Sequence, residues 1–199
     1  FDRTERNPGY IKGYVPGVRE NGGQYTHGAI WSVWAWTLLG EGERAGEMLR
    51  MLNPLRHTQR DTQTYAVEPY VVAADIYAAA QYPGRGGWTW YTGSAAWLYR
   101  LGVEQVLGLQ RRGDRLMIAP CLPPDWPGYR ACYRHGSSEY HIVVERGMNG
   151  APRLTIDGAP ADAASTIGSS PSVSRNGISK SCVPCAEEKV RGRREISAT

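Results

Sequence analysis

The sequence contains no apolar run of the roughly 18 residues that a helix needs to cross a bilayer, so we expect no membrane contact by this segment. It also has no charged and then apolar leader. The chain opens at Phe1 rather than at a methionine, and residues rich in glycine and proline follow up to Gly17. We therefore expect a soluble segment whose beginning is missing.

Cysteine and clustered positive charge are both scarce. Only four cysteines occur, which favours a reducing, cytoplasmic location. Cys121 and Cys132 lie in apolar or strand-like contexts that favour buried thiols. Cys182 and Cys185 form a single Cys-x-x-Cys pair without the second pair of ligands that a zinc site needs. The net charge of +4 is scattered except at residues 189–194, so we expect no nucleic-acid partner.

Aromatic residues are absent from the last part of the chain. From Ala161 onward there are few large aliphatic side chains and many Ser, Arg and Glu residues, so burial cannot offset the entropy of ordering. We predict that residues 161–199 are a disordered or aberrant tail. The turn predicted at Asp157-Gly158 then has no obvious return strand.

Apolar periodicity predicts helices in the first half of the chain. Residues 29–39 are apolar on nearly every side, which predicts an inner helix buried all round. An amphipathic outer helix follows and ends at Asn53, and a third helix runs from 94 to about 109. A further candidate covers 67–80, although it begins awkwardly at Pro69. Alternating inner and outer helices are typical of helical pairs that close into a toroid.

After Gly113 the apolar period changes to the two residues of a strand. The predicted strands are Arg115–Ile118, two strands within Gly128–Glu145 around a turn at 136–138, and Arg153–Ile156. The predicted class is therefore α+β, with helices first and an antiparallel β-sheet module after them.

A polar loop, Glu20–His27, runs directly into the first apolar helix. Binding residues are often carried by such loops on a rigid scaffold. From spacing alone the alternative is favoured, in which Asn21-Gly22-Gly23 is a turn and His27 only caps the helix.

A second loop, Gly84–Ser94, precedes the third helix. Thr92-Gly93-Ser94 offers hydroxyls and unpaired N–H groups at the positive end of a helix dipole, which suits an anion. An ordinary N-cap explains the same residues. Trp88, Trp90 and Tyr91 could be core residues, the commoner case, or stacking platforms for sugar rings.

Five longer runs together resemble the glycoside hydrolase family 94 phosphorylases. They are RENGGQYTHGAIW from Arg19, MLNP from Met51, VEPYVVAADIY from Val67, GRGGWTWYTGSAAWLYR from Gly84 and PPDWPGY from Pro123. The resemblance covers roughly residues 10–158 in order and at natural spacing. The resemblance is strongest to the branch that contains cyclic β-1,2-glucan synthase and 1,2-β-oligoglucan phosphorylase. The run Ala73-Ala74-Asp75, which replaces a glutamine of cellobiose-type members, fits that branch.

The resemblance implies a division of the chain. Residues 1–112 would be the C-terminal part of an (α/α)6 catalytic barrel, 113–160 a truncated antiparallel β-sheet module, and 161–199 the tail. The whole would be the C-terminal portion of the enzyme.

The resemblance also implies a reaction, the inverting cleavage of β-1,2-glucan oligosaccharides by inorganic phosphate to α-glucose 1-phosphate. One carboxylic acid protonates the leaving oxygen while phosphate attacks from the opposite face. That acid lies in a Trp-Asn-Asp-Gly motif, which is absent here, so we expect the isolated fragment to be inactive.

No cofactor or metal is implied, since phosphate is a co-substrate. A homodimer and a place in the cytoplasmic domain of an inner-membrane cyclic glucan synthase stay open.

The resemblance assigns binding roles to particular residues. Phosphate binding is implied for His27, Thr92 and Gly93; substrate binding is implied for Glu20, Gln24, Tyr25 and Glu68. Two alternatives remain, a hydrolase on the same toroid and a non-catalytic carbohydrate-binding segment.

Overall fold

A computed structural model describes residues 1, 3–90, 92–113, 115–147, 152–156 and 158–161. Helices come first and antiparallel strands follow, which confirms the predicted mixture. The predicted tail lies outside the described residues except for Ala161, and so do Cys182 and Cys185. In the described part, no helix has the length and apolar character to cross a membrane.

The helical part is built from short helices around a small core. The helices are α1 (Thr26–Leu38), α2 (Gly42–Leu52), α3 (Pro54–Arg60), α4 (Thr62–Tyr65) and α5 (Ser94–Arg100), with a 3₁₀ helix at Gly9–Gly13 and a π-helical continuation of α5 at Leu101–Val106. The amphipathic α2 ends before Asn53, as predicted, because the Asn53 side chain accepts the Leu55 N–H and caps α3. The core residues are Ile30, Val33, Ala45 and Leu101.

The burial predicted for the first helix on nearly every side is not complete within the described residues. The helix begins at Thr26, three residues early, and buries only one side. Ile30 and Val33 are inaccessible, whereas Trp31 is 55% and Leu38 72% exposed. The reason is that, among the described elements, α2, α5 and the π-helical turn cover the same flank of α1.

Two further helix predictions are corrected. Residues 67–80 form no helix; instead Asp75–Ile76 pairs as a strand with segments on both sides. The third helix stops at Val106, and Leu109 already belongs to a strand. The chain turns at Gly108, where φ is +75° and an added Cβ would collide with the backbone of Ala119.

In the described part of the chain, the strands form three antiparallel sheets. They are β1 (Gln24–Tyr25), β2 (Asp75–Ile76) and β3 (Gly86–Gly87) in one sheet; the hairpin β4 (Leu109–Arg112) and β5 (Arg115–Ile118); and β6 (Gly128–His135), β7 (Ser138–Arg146), β8 (Pro152–Ile156) and β9 (Ala159–Ala161) in sequential order. The strands predicted after residue 113 are confirmed. The expected lack of a return strand is wrong, because Ile156 pairs with Ala159 and Leu154 with Ala161.

A second core lies under the sheet β6–β9. It consists of Leu116, Ile118, Ile142, Val144 and Leu154.

The hairpin β4–β5 spans residue 112, where we placed a domain boundary, and that boundary stays a prediction. Cys121 is half-buried, but Cys132 is exposed, so the buried thiol predicted at Cys132 is wrong.

Candidate functional site

The small sheet β1–β2–β3 joins the two loops that the sequence singled out. Tyr25 pairs with Asp75, and Asp75 pairs with Gly87 on its other side. Tyr25 leads directly into α1, and Gly87 leads into the loop before α5. Each loop therefore contains a strand that pairs with β2, one on either side of it, although about 60 residues of chain separate the two loops.

His27 lies in the first turn of α1 and contacts α5. Its ring lies 5.5 Å from that of Trp97 and 4.6 Å from that of Trp31, measured between centroids. The Trp97 N–H donates to the carbonyl of Gly93 at 3.3 Å, so Trp97 lies one turn beyond the Thr92-Gly93 pair. The structure thus brings the starts of α1 and α5 together. His27 Nε2 is buried and has no hydrogen-bond partner.

Thr92 and Ser94 form a local hydrogen-bonded pair at the start of α5. Thr92 Oγ1 accepts the Ser94 N–H at 3.1 Å and lies 2.5 Å from Ser94 Oγ. This is the N-cap-like arrangement that was the alternative at this position. If Ser94 Oγ is the donor of the short bond, the Thr92 hydroxyl proton is available to a ligand. Gly93 is exposed, and nothing lies within 4 Å of where its Cβ would be.

Glu20 and its neighbour Arg19 carry the other unpaired atoms of this region. Among the described residues, the buried side-chain N and O atoms without a hydrogen-bond partner are Arg19 Nε, Glu20 Oε2 and His27 Nε2. Arg19 Nε and Glu20 Oε2 are 3.9 Å apart, too far for a hydrogen bond. Buried polar groups are normally satisfied, so three unsatisfied atoms within nine residues indicate a place for a polar ligand.

Arg19 is held in an uncommon conformation. Its φ is +49°, in the left-handed region that residues other than glycine seldom adopt. The guanidinium lies over the rings of Tyr14 and Tyr25, 5.3 and 5.4 Å from their centroids. Tyr25, predicted as a substrate contact, therefore also supports Arg19. Gln24 donates from Nε2 to Thr26 Oγ1 at 3.3 Å, at the foot of α1.

Asp75 is a functional candidate that the sequence did not single out. Only 1% of it is exposed, and its Oδ2 accepts the Arg19 N–H at 3.0 Å. Burial raises the pKa of Asp75, and the N–H and charge of Arg19 oppose that rise. An added Cβ at Gly87 would come 2.8 Å from Asp75 Oδ1, which requires glycine there. The available signal was an acidic residue in the apolar run VVAADIY.

Glu68 lies in an exposed aromatic cluster. Trp90 Nε1 donates to Glu68 Oε1 at 2.8 Å, and this bond lowers the pKa of Glu68. The Trp90 ring meets that of Tyr70 edge to face, with centroids 6.5 Å apart. Trp88 and Trp90 are 62% and 65% exposed, so the core alternative is wrong for both, while Tyr91 lies outside the described residues.

Comparison with known proteins places these loops in a family. The model of the glycosyl hydrolase 94 superfamily catalytic domain matches residues 1–108. The cyclic beta-(1,2)-glucan synthase NdvB of Rhizobium meliloti is 53% identical over 160 residues, which are 79% of this chain and 6% of that protein. The N,N′-diacetylchitobiose phosphorylase of Vibrio proteolyticus is 31% identical over 167 residues, 80% of this chain and 20% of that protein. The solabiose phosphorylase of Paenibacillus borealis is 31% identical over 165 residues, which are 78% of this chain and 21% of that protein. The chain thus spans between 6% and 21% of the length of these relatives.

Proposed function

The chain belongs to the glycosyl hydrolase 94 superfamily, and from that membership we propose that it is part of an inverting phosphorylase of β-1,2-glucan oligosaccharides, which uses inorganic phosphate and releases α-glucose 1-phosphate. The specific substrate rests on the likeness to a protein named as a cyclic β-1,2-glucan synthase. The observation that carries the proposal is the buried, unpartnered Nε2 of His27, beside the helix that follows Thr92-Gly93.

Phosphate sets the chemical demand on such a site. As an anionic nucleophile it needs no general base, but it needs donors that are already in position. His27 Nε2 supplies one donor when that nitrogen is protonated. The Gly93 N–H and the Thr92 hydroxyl supply further donors at the start of α5. Together they form the phosphate cradle of the proposal.

The sugar would bind beside this cradle. Glu20 Oε2, which lacks a partner, can accept a hydroxyl hydrogen bond, and Arg19 Nε can donate one. Gln24 and Tyr25 lie on the same strand, next to these groups. Glu68, Tyr70 and Trp90 provide an exposed carboxylate beside aromatic rings, the combination that a sugar ring with its hydroxyls fits.

The remaining apolar surface fits an inner position for α1. Trp31 and Leu38 form exposed apolar surface on one side of α1, which a soluble protein normally covers. In the proposal, α1 is an inner helix of an (α/α)6 barrel, and helices of the complete protein cover this face. The general acid also belongs to the complete protein, whose location we propose to be cytoplasmic on the basis of the low cysteine content.

The test uses the complete protein with His27→Ala and Thr92→Ala. Loss of one hydrogen bond to a charged partner costs about 1.5 to 3 kcal/mol, so kcat/KM for phosphate should fall roughly 10- to 150-fold in each variant. Oligosaccharide binding measured without phosphate should persist.

Ser32→Ala is the matched control. Ser32 is exposed on α1 and bonds only its own helix, through the Gly28 carbonyl, so phosphate kinetics should stay at the wild-type level. If His27→Ala and Thr92→Ala also keep wild-type phosphate kinetics and lose only thermal stability, the two residues merely support helix starts. Turnover of wild-type protein without phosphate would favour a hydrolase.

A further inference from the structure

The exposed face of the β6–β7 hairpin carries three side chains that commonly bind metals. Cys132 on β6 and His141 on β7 are direct partners in the antiparallel register. Glu139 lies two residues before His141 and hence on the same face. All three residues are exposed, on the side of the sheet opposite the core residues Ile142 and Val144.

The ligand atoms of this cluster are close together. One Cys132 Sγ, one Glu139 carboxylate oxygen and one His141 ring nitrogen all lie within 4.8 Å of one another. His141 Nε2 and Glu139 Oε1 are 3.3 Å apart. A Zn²⁺ ion with bonds of about 2.0 to 2.3 Å holds its ligand atoms roughly 3.5 Å apart. Small side-chain rotations would therefore be enough to close the cluster around one ion.

The two oxygens of Glu139 face different partners. Oε2 accepts from Arg134 Nε at 2.6 Å, and Oε1 faces His141. Arg134 is the direct register partner of Glu139, so it can fix the carboxylate while Oε1 stays directed at the cluster. Hydrogen bonds of this kind orient ligating carboxylates in metal sites.

We propose that Cys132, Glu139 and His141 form a binding site for one divalent transition-metal ion, with Zn²⁺ as the best match. A sulfur, a nitrogen and an oxygen ligand suit Zn²⁺ and disfavour Mg²⁺ and Ca²⁺, which prefer oxygen alone. The Cys132 thiol gives its proton to solvent as the thiolate binds the ion. Three protein ligands leave a fourth position for water. The ion ties β6 to β7 and plays no part in the proposed phosphorolysis.

The test uses tag-free full chain carrying Cys182→Ser and Cys185→Ser, so that the thiols of the last segment cannot bind metal. Titration with Co²⁺ should saturate at one ion per chain and give a thiolate-to-cobalt charge-transfer band, which Zn²⁺ then displaces. Cys132→Ser should abolish that band. His141→Ala and Glu139→Gln should each weaken Zn²⁺ binding at least about tenfold by calorimetry, with unchanged circular dichroism.

Two matched controls decide the assignment. Cys121→Ser removes a half-buried thiol outside the cluster and should keep the band. Glu145→Gln removes an exposed charge on the same face of β7 and should keep the affinity. The proposal is overturned if the chain carrying Cys182→Ser and Cys185→Ser gives no charge-transfer band, if adding Cys121→Ser abolishes the band, or if Glu145→Gln weakens binding as much as Glu139→Gln.

Discussion

The loops around β1–β3 and the sheet β6–β9 are built in opposite ways. In the described chain, the non-glycine residues with positive φ are Arg19, Ala66, Trp88 and Trp90, all before residue 91. Among the described residues, the buried side-chain atoms without a hydrogen-bond partner lie at residues 19–27. The sheet instead buries Ile142 and Val144 and turns its charged side chains to solvent. Strain and unsatisfied groups collect at functional sites, and regular packing stabilises the rest, so the difference is the one expected between a binding part and a supporting part under the proposed function.

The largest effect is expected in the supporting part. Ile142 is 1% exposed in the core under the sheet, so Ile142→Ala should lower the free energy of unfolding by about 2 to 5 kcal/mol, measured by urea denaturation. Val143→Ala, at the neighbouring position on the opposite face, should cost clearly less. Equal losses would show that the two faces of the sheet do not differ as described.

Asp75→Asn should have a smaller effect on the free energy of unfolding, and the direction in which that effect changes with pH tests the burial of Asp75. Because burial raises the pKa of Asp75 above the ordinary 3.8, the folded chain binds more protons than the unfolded chain between the two pKa values. The free energy of unfolding therefore falls as pH rises through that window. On going from about pH 7 toward pH 4, wild type should gain stability relative to Asp75→Asn.

Asp125→Asn, measured in the same way, should give a pH dependence of the free energy of unfolding with the opposite sign. A hydrogen bond from Arg50 lowers the pKa of Asp125, so its contribution to stability is present above the unfolded value and is lost as pH falls through the folded one. Wild type should then lose stability relative to Asp125→Asn on acidification. If Asp75 and Asp125 give slopes of the same sign, the buried carboxylate in the loop region is not the exception described here.

The smallest effect on stability concerns the strained backbone at Trp90. With φ at +67° and 65% exposure, Trp90→Gly should relieve roughly 1 kcal/mol of strain and so offset the lost contact with Glu68. Thermal unfolding should change little, whereas oligosaccharide affinity of the complete protein should fall. Trp90→Phe, which keeps a ring but lacks Nε1–H, separates stacking from the Glu68 contact. Loss of stability with unchanged sugar affinity would place Trp90 with the supporting residues.

The sequence predicted what depends on local pattern. α2 and strands β5 to β8 follow from apolar periods of 3.6 and 2. The roles of His27 and Thr92, taken from the motif runs, stay a prediction. The exposure of α1 was missed, because a pattern cannot tell which neighbours cover a helix. The strand at Asp75–Ile76 was mistaken for a helix, since its extended form comes from pairing on both sides.

The same limit applies to the candidate site. The contact between Arg19 and Asp75 was not predicted, because it joins residues 56 positions apart. Neither the residues around Arg19 nor those around Asp75 form a pattern that predicts this contact. Motif resemblance found the loop, and only the folded chain shows that a carboxylate from another segment holds it.

The three two-residue strands at the site also tie the order of one loop to that of the others. The Ala74 N–H donates to the carbonyls of Gly87 and Trp88, and the Ala74 carbonyl accepts the Thr26 N–H. Loss of the middle segment, which contains Ala74, deprives both outer segments of these partners. The segments leading into α1 and toward α5 therefore both depend on the middle strand for their order. Under the proposed function, a sugar that orders one segment would lower the entropy cost of binding phosphate at the other.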